Sequence, residues 1–528
     1  MNANTTSSAA RSGGEATPEI HYPSPFNRAM ITLAVVSAAF ISVMDASIVN
    51  VVMPHMRGSF NVDLSTITWV ATIYTIAQII TITMSAWWST LLGRKRYFLV
   101  SFVLFTLASI LVGTSQTFTQ MLAYRILQGL GGGGLIPVAQ AILRETYPPN
   151  RQGWAMAMFA AGVVIAPAMG PVVGGWLTES LSWPWVFYIN VPVAAVGLTL
   201  VSIYVYDPPH MKRGINKVDW VGIILIGIGL TALQVVLERG QDEDWFDSNF
   251  IIVMTIITII TLTVLVLWEL KTEEPIVDFR VLLNLNLSAS CFVVLIFGIV
   301  MFGTTFILPQ FLQNLLDHGP YETGLVMLPR GIALFCMMPI VGHLYNLVDY
   351  RILMCGGVAL AMTSLILMSG LSLQTDYWDM VSRLVILGFG MPFVFVTLTT
   401  VAFSTTAVTD INSATSLYNL ARRLGGNLGF AVMAILLERR TALHRVNMVG
   451  NITESNATFL SYKETLSEML VRKQIDPHTA QAKAMGLIEQ TIDKQAAMLA
   501  YNDVYWIMGW SFIFVIPFIL VLKVNKQA

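Results

Sequence analysis

Residues 29–54 read AMITLAVVSAAFISVMDASIVNVVMP, and Asp45 is the one charged side chain among them. A helix needs about 20 mostly apolar residues to cross the hydrocarbon core of a bilayer. The stretch therefore reads as a membrane span, closed by Pro54, that carries a single carboxylate. A carboxylate placed in hydrocarbon is costly, so it normally faces a cavity or a partner and marks a pathway. The residues before it, up to Arg28, are polar and rich in Ser, Thr and Gly. The apolar run is too long for the core of a cleavable leader, so it is expected to stay as the first span.

The rest of the chain repeats this pattern. Of 528 residues, 55% are hydrophobic and 12% are charged, against roughly 25% charged in soluble domains. Disorder is excluded, because it needs low hydrophobicity and high charge, and a soluble multidomain enzyme is disfavoured. A net charge of −1 offers no basic excess for nucleic acid. Cys291, Cys336 and Cys355 form no CxxC or Cys/His cluster, so neither a disulfide framework nor a metal site is expected. The tetraglycine Gly131–Gly134 continues into Leu-Ile-Pro. It lacks the lysine and hydroxyl of a nucleotide loop. No cofactor is implied, and no catalytic constellation appears.

Apolar runs between turn and charge signals number about fourteen, each long enough to span. The resulting division is a tail over 1–28, a six-helix bundle over 29–207, a linker with two inserted helices over 208–280, a second six-helix bundle over 281–523, and a tail over 524–528. Fifteen of the charged residues fall between Glu438 and Lys494, which marks 438–500 as a polar segment outside the membrane with helical patterning. Placing the N-terminus in the cytoplasm puts Arg94, Lys95, Arg96, Arg144, Arg151, Lys212, Arg213, Lys217, Lys271, Arg280 and Arg351 in inside loops, against Arg57 and Arg239 outside. That bias sets the orientation, with both termini inside. AWWSTLLGRK from Ala86 and GHLYNLVDYR from Gly342 lie 256 residues apart, and the same offset lays Gly170–Gly174 over GNLG at 426–429. Spans one to six then repeat as nine to fourteen, the internal duplication common in transporters.

Arg125 in the fourth span is the counterpart of Asp45. At about 1.5 Å per residue the two lie roughly 10 Å and 8 Å below the same membrane face, so they are able to meet. A neighbouring guanidinium favours the charged carboxylate, and losing it in an apolar site favours the protonated one. A contact made and broken would bind and release a proton; the alternative is a static ion pair that orders two helices. Ser42, Asp45 and, less closely, Asn50 point to one side of the first span. Gln128 shares a face with Arg125, either to orient it or as an ordinary interhelical hydrogen bond. In GVVIAPAMGPVVGG, Gly162, Gly170, Gly174 and Gly175 suit close helix packing. Pro167 and Pro171 remove backbone donors, so the segment reads equally as packing surface or hinge. Arg330, Arg422 and Arg423 fall in or near later spans, where carbonyl contact and substrate contact are both open.

These motifs together resemble the fourteen-helix drug:proton antiporters of the major facilitator superfamily, most closely the EmrB type, from about Phe26 onward. MDASIVNVVMP is similar to their first-helix motif, YRILQGLGGG to the fourth-helix arginine motif and APAMGPVVGG to the fifth-helix antiporter motif. WPWVFYINVP, ERGQDEDWF, EEPIVDFR and LPQFLQN are similar to EmrB-type stretches as well. The resemblance implies an all-α membrane protein of two six-helix bundles plus two inserted helices. It implies proton coupling at Asp45 and Arg125, with Asn50 and Gln128 lining or orienting the site. Gly93, Arg94 and Lys95 match a cytoplasmic gate loop whose usual Asp is replaced by Thr90. The implied activity is multidrug efflux from the bacterial inner membrane, driven by the proton gradient. The implied partners are an EmrA-type periplasmic adaptor and a TolC-type outer-membrane channel. The competing functions are a dedicated exporter of a native siderophore or fatty acid and a non-transporting receptor or scaffold; paired intramembrane charges argue against the last.

Overall fold

The computed structural model describes residues 22–207, 217–241, 243–450, 452 and 456–523. Lys212 and Arg213, used above for orientation, lie outside the described residues. The described chain is helical throughout. Its spans are α1 (Pro25–Phe60), α2 (Trp69–Leu92), α3 (Arg94–Gly113), α4 (Phe118–Thr146), α5 (Gln152–Ser180), α6 (Trp185–Tyr204), α7 (Trp220–Arg239) and α8 (Asn249–Glu269). There follow α9 (Leu285–Leu315), α10 (Pro320–Leu344), α11 (Tyr350–Met368), α12 (Tyr377–Ala402), α13 (Ile411–Val449) and α14 (Pro477–Val521). Among the described residues thirteen helices are long and apolar enough to cross a membrane, and the bent α5 makes fourteen. The chain is a polytopic membrane protein.

Local chemistry explains the helix ends. Ser24 accepts from the Asn27 amide at 3.3 Å and Pro25 occupies the first turn of α1, where its missing N–H costs nothing. Asn61 closes α1 in the left-handed conformation at φ 51°, which Asn tolerates better than most residues. Pro54 does not end the span as the sequence reading expected; it lies inside α1. Neighbouring helices in membrane proteins re-satisfy the backbone that such a proline frees. Gly93, at φ 85°, makes the reversal between α2 and α3, a backbone conformation open to glycine.

Packing repeats between the two ends of the chain. α1 lies on α5 as α9 lies on α13; α2 lies on α4 as α10 lies on α12; α3 lies on α4 and α6 as α11 lies on α12 and α14. Glycines set the closeness of these crossings. A Cβ on Gly429 of α13 would meet the Ile299 carbonyl of α9 at 2.5 Å. The tetraglycine belongs to the same device. With Gly129 it forms a wedge in which Gly129 and Gly133 meet the α2 backbone at Tyr74 and Gln78, while Gly131 meets α3 at Phe105.

The inserted α7 packs on α2 and α13, and α8 packs on α7. α8 leaves Val253, Ile256, Ile259, Ile260 and Leu267 exposed, a face suited to lipid. The segment 438–500 is not a separate loop for most of its length. α13 runs on to Val449, a helix spans Ala457–Arg472, and α14 begins at Pro477. Arg445 clamps the two extensions by pairing with Asp493 at 2.7 Å and Glu489 at 3.0 Å.

Gly429→Ala is expected to cost about 1–3 kcal/mol by overpacking. Gly175→Ala, whose Cβ would meet nothing within 4 Å, should be neutral or gain up to about 1 kcal/mol from helix propensity. Melting temperatures of the purified proteins in detergent measure the contrast.

Candidate functional site

Asp45, on α1, is fully buried, as are Arg125 and Gln128 on α4, Ser109 on α3 and Asn190 on α6. They form one closed network. Arg125 Nη1 donates to Asp45 Oδ2 and to Gln128 Oε1, both at 2.7 Å. Its Nε donates to the Val70 carbonyl at the start of α2, at 3.0 Å. Asp45 Oδ1 accepts from Gln128 Nε2 at 2.8 Å and from Asn190 Nδ2 at 3.1 Å. Ser109 Oγ accepts from the same two amides at 2.8 Å and 3.3 Å. The carboxylate therefore receives one charge-assisted bond and two neutral ones, the dense satisfaction a buried ion needs.

Aromatic and hydroxyl groups enclose the pair. The Arg125 guanidinium carbon sits 4.1 Å from the Tyr74 ring centroid and 5.8 Å from that of Phe187, a cation–π arrangement. Tyr74 donates through its hydroxyl to the Ser42 carbonyl at 3.2 Å. Gln78 Nε2 donates to the Tyr74 hydroxyl at 3.1 Å and to Ser42 Oγ at 3.3 Å. Ser42 Oγ donates to the Gly132 carbonyl at 3.2 Å, so the glycine wedge also brings α4 within reach of α1.

Asn50 does not join the network. It is exposed, because five residues along a helix turn a side chain about 140° away from Asp45. Asn190 fills the place Asn50 was expected to take. It lies in the stretch WPWVFYINVP, and a lone amide in an apolar span was the signal that could have marked it. The α5 glycines divide in the same way. Gly162 packs on Val36, Gly170 on Ser47 and Ile48, and Gly174 on Ile48, all of α1. Gly175 packs on nothing within 4 Å. α5 bends by 46° between its Pro149–Pro167 and Val172–Ser180 parts. Pro167 ends the first part, and the Pro171 side chain lies outside the described residues.

The loop at Gly93 is tied within its own bundle. Arg94 is ion-paired with Glu145 at the end of α4. The Lys95 amide donates to Asp207 Oδ1 and its Nζ to the Ser202 carbonyl, both at 2.7 Å. Bonds between the two halves come from other residues near this end. Arg144 Nη2 donates to the Phe403 carbonyl at 2.9 Å, the Ser85 and Ser416 hydroxyls are 2.6 Å apart, and Asn419 donates to Gln140. The second half differs in charge. Arg330 and Arg422 keep 7% and 8% of their surface, and Arg422 Nε is sealed without a hydrogen-bond partner.

Residues 35–430 match the Major Facilitator Superfamily. The multidrug export protein EmrB of Haemophilus influenzae is 28% identical over 485 residues, covering 92% of this chain and 93% of that one. The fatty acid resistance protein FarB of Neisseria gonorrhoeae is 29% identical over 497 residues, covering 94% and 96%. Among solved structures, the proton:xylose symporter XylE superposes with a TM-score of 0.59 at 12% identity, covering 94% of this chain and 96% of that one; at that identity the likeness concerns the fold.

Removing one member of the pair strands the other charge. Asp45→Leu and Arg125→Met should each destabilise by about 3–5 kcal/mol, and the double variant by clearly less than their sum. A thermal double-mutant cycle in detergent reads the coupling, and additive losses would contradict the contact.

Proposed function

The chain belongs to the Major Facilitator Superfamily as an EmrB-type transporter, and on that footing we propose that it is a proton-driven exporter of hydrophobic and amphipathic compounds. The observation that carries the reading is the sealed Asp45 carboxylate, held by one arginine and two amides. A proton from outside competes with Arg125 for this group. Protonation removes the charge that holds the guanidinium, and the tie between α1 and α4 loosens. α1 passes the change to α5, because Gly170 lies against Ser47 and Ile48 just beyond Asp45. Release of the proton inward restores the pair, and substrate leaves on the outward limb of the cycle. In this reading Gly162, Gly170 and Gly174 form the close contact through which α1 moves α5, the segment with Pro167 and Pro171 is the hinge, and Arg94 and Lys95 brace the inner end.

The basic bias of the loops supports an inner-membrane orientation with both termini cytoplasmic. The clamped extensions of α13 and α14 then project into the periplasm. There they offer a surface for an adaptor of the EmrA type, leading to an outer-membrane channel of the TolC type.

A second reading is a dedicated exporter of an anionic metabolite such as a fatty acid. Arg330 and Arg422 favour it. Both are nearly buried, and from Ser290 to Asn314, Thr323 to Val341, Leu384 to Ala402, Ile411 to Leu437 and Val504 to Leu522 the second half carries no Asp or Glu. A buried cation without an internal partner is costly, and a carboxylate ligand would offset that cost.

In proteoliposomes with an imposed pH gradient, Asp45→Asn should reduce substrate efflux to the level of empty vesicles; unchanged efflux would sink the mechanism. In a competition panel, Arg422→Gln should weaken transport of fatty carboxylates more than that of neutral amphiphiles. Equal effects on both classes would count against the second reading.

A further inference from the structure

The inserted helix α7 carries a second acidic group that the scheme above does not use. Glu238 lies in the last turn of α7, half-buried where α7 meets α2 and α13. Gln234, one turn earlier and fully buried, donates to Glu238 and accepts from Asn427 of α13 at 2.5 Å. Thr72 of α2, whose hydroxyl donates to the Thr68 carbonyl at 3.3 Å, is a polar neighbour of the Glu238 carboxylate. Arg423, four residues before Asn427 on the same face of α13, is its cationic neighbour. Arg423 also reaches α2, donating to Thr75 Oγ1 at 3.3 Å, while its Nε is sealed without a partner. One acid thus stands at a seam formed by the first half through α2, the second half through α13, and the insertion itself.

Among the described residues the other charges around it are accounted for. Arg239, next in sequence, is engaged elsewhere: Nη1 donates to Thr68 Oγ1 at 3.1 Å and the guanidinium lies 4.9 Å from the Trp69 ring centroid. Glu438 of α13 is bonded to Gln241. α8 brings no charged side chain before Glu269 at its far end, and Glu243 and Asp244 in the preceding turn are exposed. Tyr74 of α2 is an electrostatic neighbour of Arg423 and also stacks under Arg125. The two acid–arginine sites therefore flank one tyrosine.

We propose that Glu238 is a second proton-binding carboxylate, supplied by the inserted helix, whose charge state controls how firmly Arg423 ties α13 to α2 and α7. Ionised, it attracts Arg423 and accepts from Gln234, which is itself bonded to Asn427, and this holds the seam. When it takes up one proton it becomes a neutral acid, the attraction to Arg423 is lost, and α13 is free to shift against α2. The unpaired Arg423 Nε fits such a role, since an unmet buried donor leaves the guanidinium less than fully satisfied in this arrangement. The inserted pair then has a function beyond filling space: it brings a titratable latch to the seam beside Arg423.

The proposal rests on the chain being a proton-coupled transporter, yet proton binding can be read without transport. Purified full-length protein in weakly buffered detergent is titrated between pH 5 and pH 9 while bound protons are counted. Wild type, Asp45→Asn, Glu238→Gln and the double variant are compared, and melting temperatures confirm that each is folded. Glu238→Gln should lose one bound proton per molecule, and the double variant should lose one more than Asp45→Asn alone. Glu238→Asp should keep the proton should the glutamine variant prove unstable. Arg423→Gln should move the pH at which that proton binds, and Arg239→Gln should move it less. A Glu238→Gln curve that superimposes on wild type would overturn the proposal. Loss of a proton in Glu238→Gln together with no change in Asp45→Asn would leave this site standing and sink the Asp45 mechanism instead.

Discussion

A buried carboxylate cannot be left alone in a membrane, and the first half of this molecule is organised by that constraint. Asp45 has no access to water, so four other helices send groups to it or to its partners. α4 supplies Arg125 and Gln128, α3 supplies Ser109, α6 supplies Asn190, and α2 supplies the Val70 carbonyl. Such convergence requires helices closer than side chains of ordinary size permit. The glycines at 129, 131 and 133 meet that need, since each would drive a Cβ into the backbone or side chains of α2 or α3. Electrostatic satisfaction and close packing are therefore one problem here with one solution.

The legibility of this arrangement in the sequence varied with its physical cause. Apolar length is a local property, and the fourteen spans follow from it. Rare charges in such runs are equally local, so Asp45 and Arg125 stand out at once. Depth along two antiparallel helices is simple geometry, and it suffices to bring those two together. Which face a polar residue occupies depends on rotation and on neighbours. Asn50 turns to the exposed face for that reason, while Asn190, from another helix, reaches the carboxylate. The tetraglycine carries no chemical signature of its own, because its purpose lies in the surfaces of α2 and α3. Pro54 misled for a related reason: what a proline does to a helix depends on whether other helices surround it.

The duplicated packing makes the difference in charge between the halves more informative. Under the 256-residue offset, α1 on α5 corresponds to α9 on α13, and both pairs are drawn close by glycine. The first half pairs its buried arginine with an acid on its own helices. The second half does not: Arg330 and Arg422 are nearly buried, and Arg423 finds its acidic neighbour on the inserted α7. A common packing plan has been fitted with two electrostatic regimes. One half pairs its buried arginine with its own acid, and in the other Arg423 has its acidic neighbour on the insertion.

This places α13 at the mechanical centre. It packs on α9 in its own half, faces α2 and α4 across the seam, meets α7, and continues beyond the apolar region alongside α14. The extension is stiffened by Arg445 with Asp493 and Glu489, and by His444 with Asp503 at 2.8 Å. Surface pairs of this kind add little stability singly, but several along two adjacent helices restrict their relative motion. α13 runs unbroken from Arg423 to Val449, so the arginine at the seam and the clamped extension belong to one helix.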